Sequence, residues 1–164
     1  MTPRKATLED VEMLAQLHVQ AWHECYAGLL PETEIATRDL GYRRKVWTKI
    51  METQIGRVWL IDDLGFAHFG PSREEHFRDQ GYPEELFAMY LIRPGYGLGP
   101  ALIKSAHGRD GQPFTACVLD GNARACAFYE KSGGLHLATR AEHIGSSSIQ
   151  DRVYGWTDAP FANN

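Results

Sequence analysis

The stretch from Glu84 to Gly134 constrains the fold of this chain most strongly. It opens with seven consecutive apolar residues, Leu86 to Ile92, which a Pro-Gly pair follows closely. A continuous apolar run does not form an amphipathic helix, so it predicts a central strand covered on both faces. A second buried strand is predicted from Phe114 to Leu119, with one helix between the two strands and a further helix that opens at Asn122.

A glycine turn connects the first of these strands to the helix. Gly95, Gly97 and Gly99 alternate there with larger residues. Glycines leave the backbone open to close approach by another molecule, and the unpaired amides at the start of a helix attract phosphate. The turn therefore indicates a phosphate site, although a flexible strand-to-helix connection would explain the same glycines.

A second pattern lies on the helix that opens at Asn122. The form Asn-x-x-Ala-x-x-Phe-Tyr-Glu-Lys-x-Gly is matched at Asn122, Ala125, Phe128, Tyr129, Glu130, Lys131 and Gly133. This stretch resembles the second signature of the GNAT superfamily, the acetyl-coenzyme A-dependent N-acetyltransferases, and the resemblance extends more loosely over nearly the whole chain. It implies an α+β fold, with a central mixed, mostly antiparallel sheet and helices on both faces, and an activity without a metal.

The family resemblance also implies which residues bind acetyl-coenzyme A (acetyl-CoA). The pyrophosphate is expected at the glycine turn and the pantetheine arm along the central strand. Asn122 can cap its helix and also contact that arm. The expected cofactor contacts are Leu91, Ile92, Arg93, Gly95, Gly97, Leu98, Gly99, Asn122 and Phe128.

The glycine turn departs from the family pattern in its length. Family loops carry Arg or Gln, two residues, and then Gly-x-Gly. Placing Gly97-Leu98-Gly99 on that Gly-x-Gly puts Pro94 where Arg or Gln belongs. The connections at 62–63 and 108–113 are equally short. Either these are tight turns, or the sequence lacks residues of mobile loops.

Tyr129 is the predicted general acid of the reaction that the resemblance implies. Acetyl transfer from a thioester to an amine needs a neutral amine, a stabilised oxyanion and a proton for the departing thiolate. A phenol with a reference pKa of about 10 keeps its proton at neutral pH, and the tyrosine at this place in matching family members serves as the acid. The alternative is a semi-buried aromatic residue whose hydroxyl satisfies a neighbour.

The oxyanion donor and the base are both expected on the central strand. A backbone amide near Tyr90 to Ile92 would point at the oxyanion if a β-bulge frees it from the ladder. Glu85 is the predicted catalytic base, with His23 or a chain of waters as alternatives. Family members that acetylate ribosomal-protein N-termini carry a glutamate five residues before the motif asparagine. This chain has Cys117 there, which argues against that subfamily.

The end of the first long helix is expected to bind the acceptor. Trp22, His23 and Tyr26 form the predicted acceptor wall, by similarity to that segment in the superfamily. The alternative is that Trp22 and Tyr26 pack the helix onto the sheet. A small-molecule primary amine is the expected acceptor. The rival functions are a protein acetyltransferase and a non-catalytic acyl-CoA-binding module on the same fold.

Composition limits the partners of the chain. A net charge of -4 argues against nucleic acid, which is held by clustered Lys and Arg. The sequence predicts no membrane-spanning segment and no signal peptide. Cys25, Cys117 and Cys126 show no paired spacing, which favours reduced thiols in a cytoplasmic protein. Homodimers are common among similar proteins, so a homodimer is a further expectation.

The rest of the chain completes a single predicted domain, residues 1–157, with a frayed tail at 158–164. Its further predicted elements are a strand at Pro3 to Ala6, a helical region at Glu32 to Thr53 split at Gly41, a hairpin at Arg57 to Phe69, and two final strands, Gly134 to Arg140 and Arg152 to Trp156.

Overall fold

The computed structural model describes residues 1–93, 95–109, 111–158 and 160. Its strands are β1 (Arg4–Lys5), β2 (Arg57–Ile61), β3 (Gly65–Pro71), β4 (Glu84–Leu91), β5 (Phe114–Leu119), β6 (Leu135–Ile144) and β7 (Ser147–Trp156). Its helices are α1 (Val11–Tyr26), α2 (Glu32–Ala36), α3 (Leu40–Thr53), α4 (Glu75–Asp79), α5 (Leu98–His107) and α6 (Ala123–Lys131). Within these ranges no helix has the length and apolar character needed to cross a membrane.

The seven strands form one sheet in the order β1-β2-β3-β4-β5-β7-β6. All neighbours are antiparallel except β4 and β5, which pair in parallel. The parallel ladder has three pairs and ends at Leu86 and Ala116. The two strands separate beyond that point, so a cleft opens in the middle of the sheet.

Helices cover both faces of this sheet. On one face, α5 and α6 bury Leu102 and Ile103 against Phe114 of β5, in the larger of the apolar clusters. On the other face, α1 and α3 bury Leu14 and Trp47 against β2 and β3. The predicted mixed, mostly antiparallel sheet with helices on both faces is confirmed. Apolar burial of this kind is the main favourable term in folding.

Several predicted boundaries differ from those observed; β4, for example, spans Glu84–Leu91 rather than Leu86 to Ile92. Gly41 lies inside α3, and the break from α2 falls at residues 37–39. The Asp39 side chain accepts a hydrogen bond from the Tyr42 amide at 2.8 Å, so this cap sets the start of α3. The last two strands extend further than predicted, with Gly145 at φ 59° in the short turn between them.

Candidate active site

The cleft between β4 and β5 has a volume of about 1100 Å³. Residues from α1, the two strands, the glycine turn and α6 line it. The lining residues include Glu24, Cys25, Leu29, Met89, Tyr90, Leu91, Ile92, Gly95, Gly97, Gly99, Leu119, Asn122, Arg124, Phe128, Tyr129 and Lys131. Seven of the nine predicted cofactor contacts are among the cleft-lining residues.

The open edge of β4 forms one wall of the cleft. The Ile92 amide donates to the Leu64 carbonyl at 2.8 Å, so it faces β3. In an antiparallel pair the amides alternate in direction, which turns those of Leu91 and Met89 away from β3 and toward the cleft. The predicted position of the bulge, near Tyr90 to Ile92, is therefore wrong. The register shift lies opposite His68 and Phe69, and it is the separation of β5 that frees the amides.

The glycine turn leaves space where the cleft meets α5. Gly95 and Gly97 have φ values of 115° and 69°, which favour glycine, and apart from their chain neighbours no atom of the described residues lies within 4 Å of a Cβ built on either. Gly97 is the residue that caps α5. Two predicted contacts lie elsewhere: Leu98 is buried in the core, and Arg93 is exposed and does not line the cleft. Pro94 lies outside the described residues.

The start of α6 is fixed by Asn122. Its side-chain oxygen accepts from the Ala125 amide at 3.1 Å, which caps the helix. Phe128 then lines the cleft from the same helix, and Arg124 and Lys131 line it as well. Sequence reasoning missed these two cations. Their signal was the spacing of four and three residues from Phe128, which puts all three on one face of a helix.

Tyr129 is buried at the floor of the cleft, with 8% of its surface exposed. Its ring packs edge-on against Trp156, with the ring centroids 5.3 Å apart. Burial raises the pKa of its phenol above the usual value, so the group is neutral at physiological pH. Among the described residues no hydrogen-bond partner of its hydroxyl is found, so that hydroxyl is available as a donor.

Glu85 occupies a different environment from the one predicted for a base. It is 3% exposed and does not line the cleft. Its carboxylate accepts from the Arg73 guanidinium at 2.5 Å and from the Arg73 backbone amide at 3.1 Å. It precedes the point where β4 and β5 separate. The position of Glu85 therefore supports an ion pair between β4 and the segment that follows β3 rather than proton transfer.

The predicted acceptor wall also lies outside the cleft. The Trp22 and Tyr26 rings pack together with centroids 4.4 Å apart, and the guanidinium of Arg38 lies 4.7 Å from the Trp22 ring. His23 is exposed. None of Trp22, His23 and Tyr26 is among the residues that line the cleft. The packing alternative for the two aromatic residues fits these contacts.

The end of α1 contributes Glu24 and Cys25 to the cleft instead, and the turn after the helix contributes Leu29. Successive residues of a helix point in directions about 100° apart, so a shift of one or two positions changes the face. The Tyr90 hydroxyl on β4 donates to the Glu24 carboxylate, which connects two residues 66 positions apart in sequence. No sequence signal pointed to this pair.

No cluster of three or more His, Cys, Asp or Glu that could hold a metal occurs in the described part of the chain.

Known proteins resemble this chain in sequence and in fold. No family model matches the chain.

One curated protein is 34% identical over 96% of this chain and 94% of its own length, the "Uncharacterized N-acetyltransferase YuaI" of Bacillus subtilis strain 168. Two solved structures share the fold. The ribosomal-protein-alanine N-acetyltransferase of Brucella melitensis has a TM-score of 0.67 and 20% identity, covering 96% of this chain and 100% of that one. The putative acetyltransferase yncA of Salmonella typhimurium, solved with acetyl-CoA, has a TM-score of 0.67 and 18% identity, covering 99% of this chain and 95% of that one.

These likenesses agree with the separated strands, the glycine turn and the Asn122 to Gly133 motif. The chain belongs to the GNAT superfamily of acetyl-CoA-dependent N-acetyltransferases.

Proposed function

We propose that this protein transfers the acetyl group of acetyl-CoA directly to the primary amine of a small molecule. The observation that carries the proposal is the hydroxyl of the buried Tyr129, which has no hydrogen-bond partner among the described residues, in a cleft walled by open strand amides. Acetyl-CoA supplies a thioester, whose carbonyl carbon accepts a nucleophile and whose sulfur leaves.

The residues at the glycine end of the cleft fit the phosphates of acetyl-CoA. The open space at Gly95 and Gly97 admits a phosphate to the start of α5, where the helix dipole is positive. Arg124 and Lys131 add two positive charges along the cleft, and neither forms an ion pair within the described residues. The free amide of Leu91, nearer the glycine turn, can pair with the pantetheine arm as an added strand would.

The chemistry then follows from the groups around the thioester. The neutral amine attacks the carbonyl carbon, and the electron pair of the C=O bond moves to oxygen. The Met89 amide, which faces the cleft farther from the glycine turn than that of Leu91, donates to that oxyanion. As the C–S bond breaks, Tyr129 gives its proton to the sulfur, and the proton lost from the new amide nitrogen returns to the phenolate. The net products are an acetamide and coenzyme A thiol.

Coenzyme A thiol release tests the proposal across a panel of small amines, amino acids, polyamines and N-terminal peptides. We expect turnover with small amines and a fall of about 100-fold in kcat for Tyr129→Phe. The dissociation constant for acetyl-CoA should stay unchanged, because the phenylalanine keeps the ring packing. Tight cofactor binding without turnover would instead favour an acyl-CoA-binding module.

A second candidate is a protein N-terminal or lysine acetyltransferase. It is favoured by the fold shared with the ribosomal-protein-alanine enzyme of Brucella melitensis. Faster turnover of peptides than of small amines in the same panel would replace the first proposal with this one.

We also propose that the protein is a homodimer. Analytical ultracentrifugation of the protein tests this proposal.

A further inference from the structure

We propose that Glu24 binds the ammonium group of the acceptor, and that the acceptor is a primary amine on an apolar carbon skeleton with no carboxylate beside the nitrogen. The inference rests on the proposed function and names its substrate class. It starts from a carboxylate that accepts hydrogen bonds from two neutral groups and has no cation as a partner among the described residues.

Glu24 is held by two neutral donors. The Tyr90 hydroxyl donates to Oε2, and the Gln20 side-chain amide donates to Oε1 at 3.1 Å. Tyr90 is 9% exposed, and burial followed by its bond to Glu24 raises the pKa of its phenol, so it stays a neutral donor. A carboxylate has about four acceptor positions, so two stay open. Glu24 is exposed, and among the described residues no cation forms an ion pair with it, so it can pair with a cation from the ligand.

The charges of the cleft are divided between the two faces of the sheet. Glu24 is the one carboxylate among the described residues that line the cleft, and it comes from α1. The cations Arg124 and Lys131 come from α6, which packs on the opposite face. Phosphates are attracted to the α6 side and a cation to the α1 side. An amine that arrives protonated thus has a binding group on the side away from the cofactor phosphates, and it releases its extra proton to solvent before it attacks as the neutral amine.

The surroundings of Glu24 select the rest of the acceptor. Cys25 and Leu29 line the cleft beside it, and Leu29 has 52% of its surface exposed. This apolar surface favours a hydrocarbon skeleton next to the ammonium. A carboxylate on the carbon that bears the nitrogen would lie close to Glu24, and like charges at short distance repel. Free α-amino acids are therefore disfavoured as acceptors.

Two matched series of probes test this selection. One is 2-phenylethylamine, 2-phenylethanol and phenylalanine, and the other is hexylamine, hexanol and norleucine. Binding is measured by calorimetry on the full chain saturated with coenzyme A, and turnover by thiol release. We expect the wild type to bind each amine about fivefold or more tighter than its alcohol or amino acid, the value of one partly exposed charge pair.

Variants assign that preference to Glu24. Glu24→Gln keeps an acceptor oxygen for Tyr90 and should remove the preference, with a rise in the KM for amines that exceeds the change in kcat. Tyr90→Phe frees the Glu24 side chain and should reduce the preference in part. Glu12→Gln is the control, because Glu12 lies on the same helix and pairs with Arg44 outside the cleft.

The two proposals fail in different ways. Three outcomes would each overturn the role of Glu24. The wild type could bind amines and alcohols equally, it could bind no amine at all, or the preference for amines could survive in Glu24→Gln. A Glu24-dependent preference for amines without any acetyl transfer would overturn the catalytic proposal and leave the amine site in place.

Discussion

Leu86 of β4 and Ala116 of β5 form the last pair of the parallel ladder. Beyond them the two strands have no paired positions, and both Leu91 and Leu119, further along, line the cleft. Unpaired strand edges expose amides and carbonyls that can form hydrogen bonds with another molecule. The site is thus built from backbone, and side chains from α1 and α6 supply the charge and the acid.

The glycine turn should be essential for cofactor binding. In Gly97→Ala, the methyl group occupies space that no protein atom fills and the residue keeps a positive φ, which costs about 1 kcal/mol for a residue with a Cβ. We expect the dissociation constant for acetyl-CoA to rise about tenfold or more, measured by calorimetry.

Gly108 at the other end of α5 provides the matched control. It also has a positive φ, and in the described part of the chain no atom beyond its chain neighbours lies within 4 Å of its Cβ position. Gly108→Ala should cost at least as much stability in urea unfolding and leave the acetyl-CoA dissociation constant unchanged. An equal loss of affinity in both variants would mean that Gly97 acts through stability alone.

Arg124 and Lys131 should strengthen cofactor binding by charge. Each replacement with Gln should raise the acetyl-CoA dissociation constant about three- to tenfold at low salt, and less in 0.5 M salt, because screening weakens exposed charge pairs. Binding of S-acetylpantetheine, which lacks the nucleotide phosphates, should not change. A loss of affinity for both ligands would point to altered packing of α6 instead. Lys45→Gln on α3 serves as the control.

Local patterns in the sequence predicted the elements around the site well. β5 has the bounds expected from its apolar run, and Asn122 caps α6 as its residue type suggests. These features depend on neighbours within a few positions, which a sequence displays directly.

Features that depend on distant residues could not be predicted in this way. The Tyr90 to Glu24 hydrogen bond joins β4 to α1, and the Arg73 to Glu85 ion pair engages the carboxylate predicted as the base. Tertiary contacts of this kind override local preference. At the start of α3 the deciding contact is instead local, because the Asp39 cap on the Tyr42 amide sets a boundary that glycine propensity had placed at Gly41.

Glu85 should stabilise the fold more than it assists the reaction. Glu85→Gln removes the charge that pairs with Arg73 while it keeps the shape, and a hydrogen bond to a charged group is worth about 1.5–3 kcal/mol. We expect a loss of about 2 kcal/mol in the free energy of unfolding, measured in urea, and a kcat within about threefold of wild type. A fall in kcat of about 100-fold at unchanged stability would instead establish Glu85 as the base.

Asp151 should make stability depend on pH between about 4 and 6. It lies on β7, half-buried, and burial followed by the nearby Glu142 carboxylate raises its pKa to about 6. A carboxyl whose pKa is higher in the folded state binds more protons folded than unfolded, so its contribution lowers stability as the pH rises through that window. Above about pH 6 the carboxylate is ionised while half-buried, and it lowers the free energy of unfolding by an amount that no longer changes with pH.

Asp151→Asn removes that cost. After allowance for solvent screening at a half-exposed group, we expect a gain of about 1 kcal/mol in the free energy of unfolding at pH 7.5, with a smaller gain at pH 4, where the native carboxyl is already protonated. Urea unfolding at the two pH values measures the difference, with Asp158→Asn, exposed just after β7, as the control. Equal gains at both pH values would show that packing rather than ionisation separates the variants.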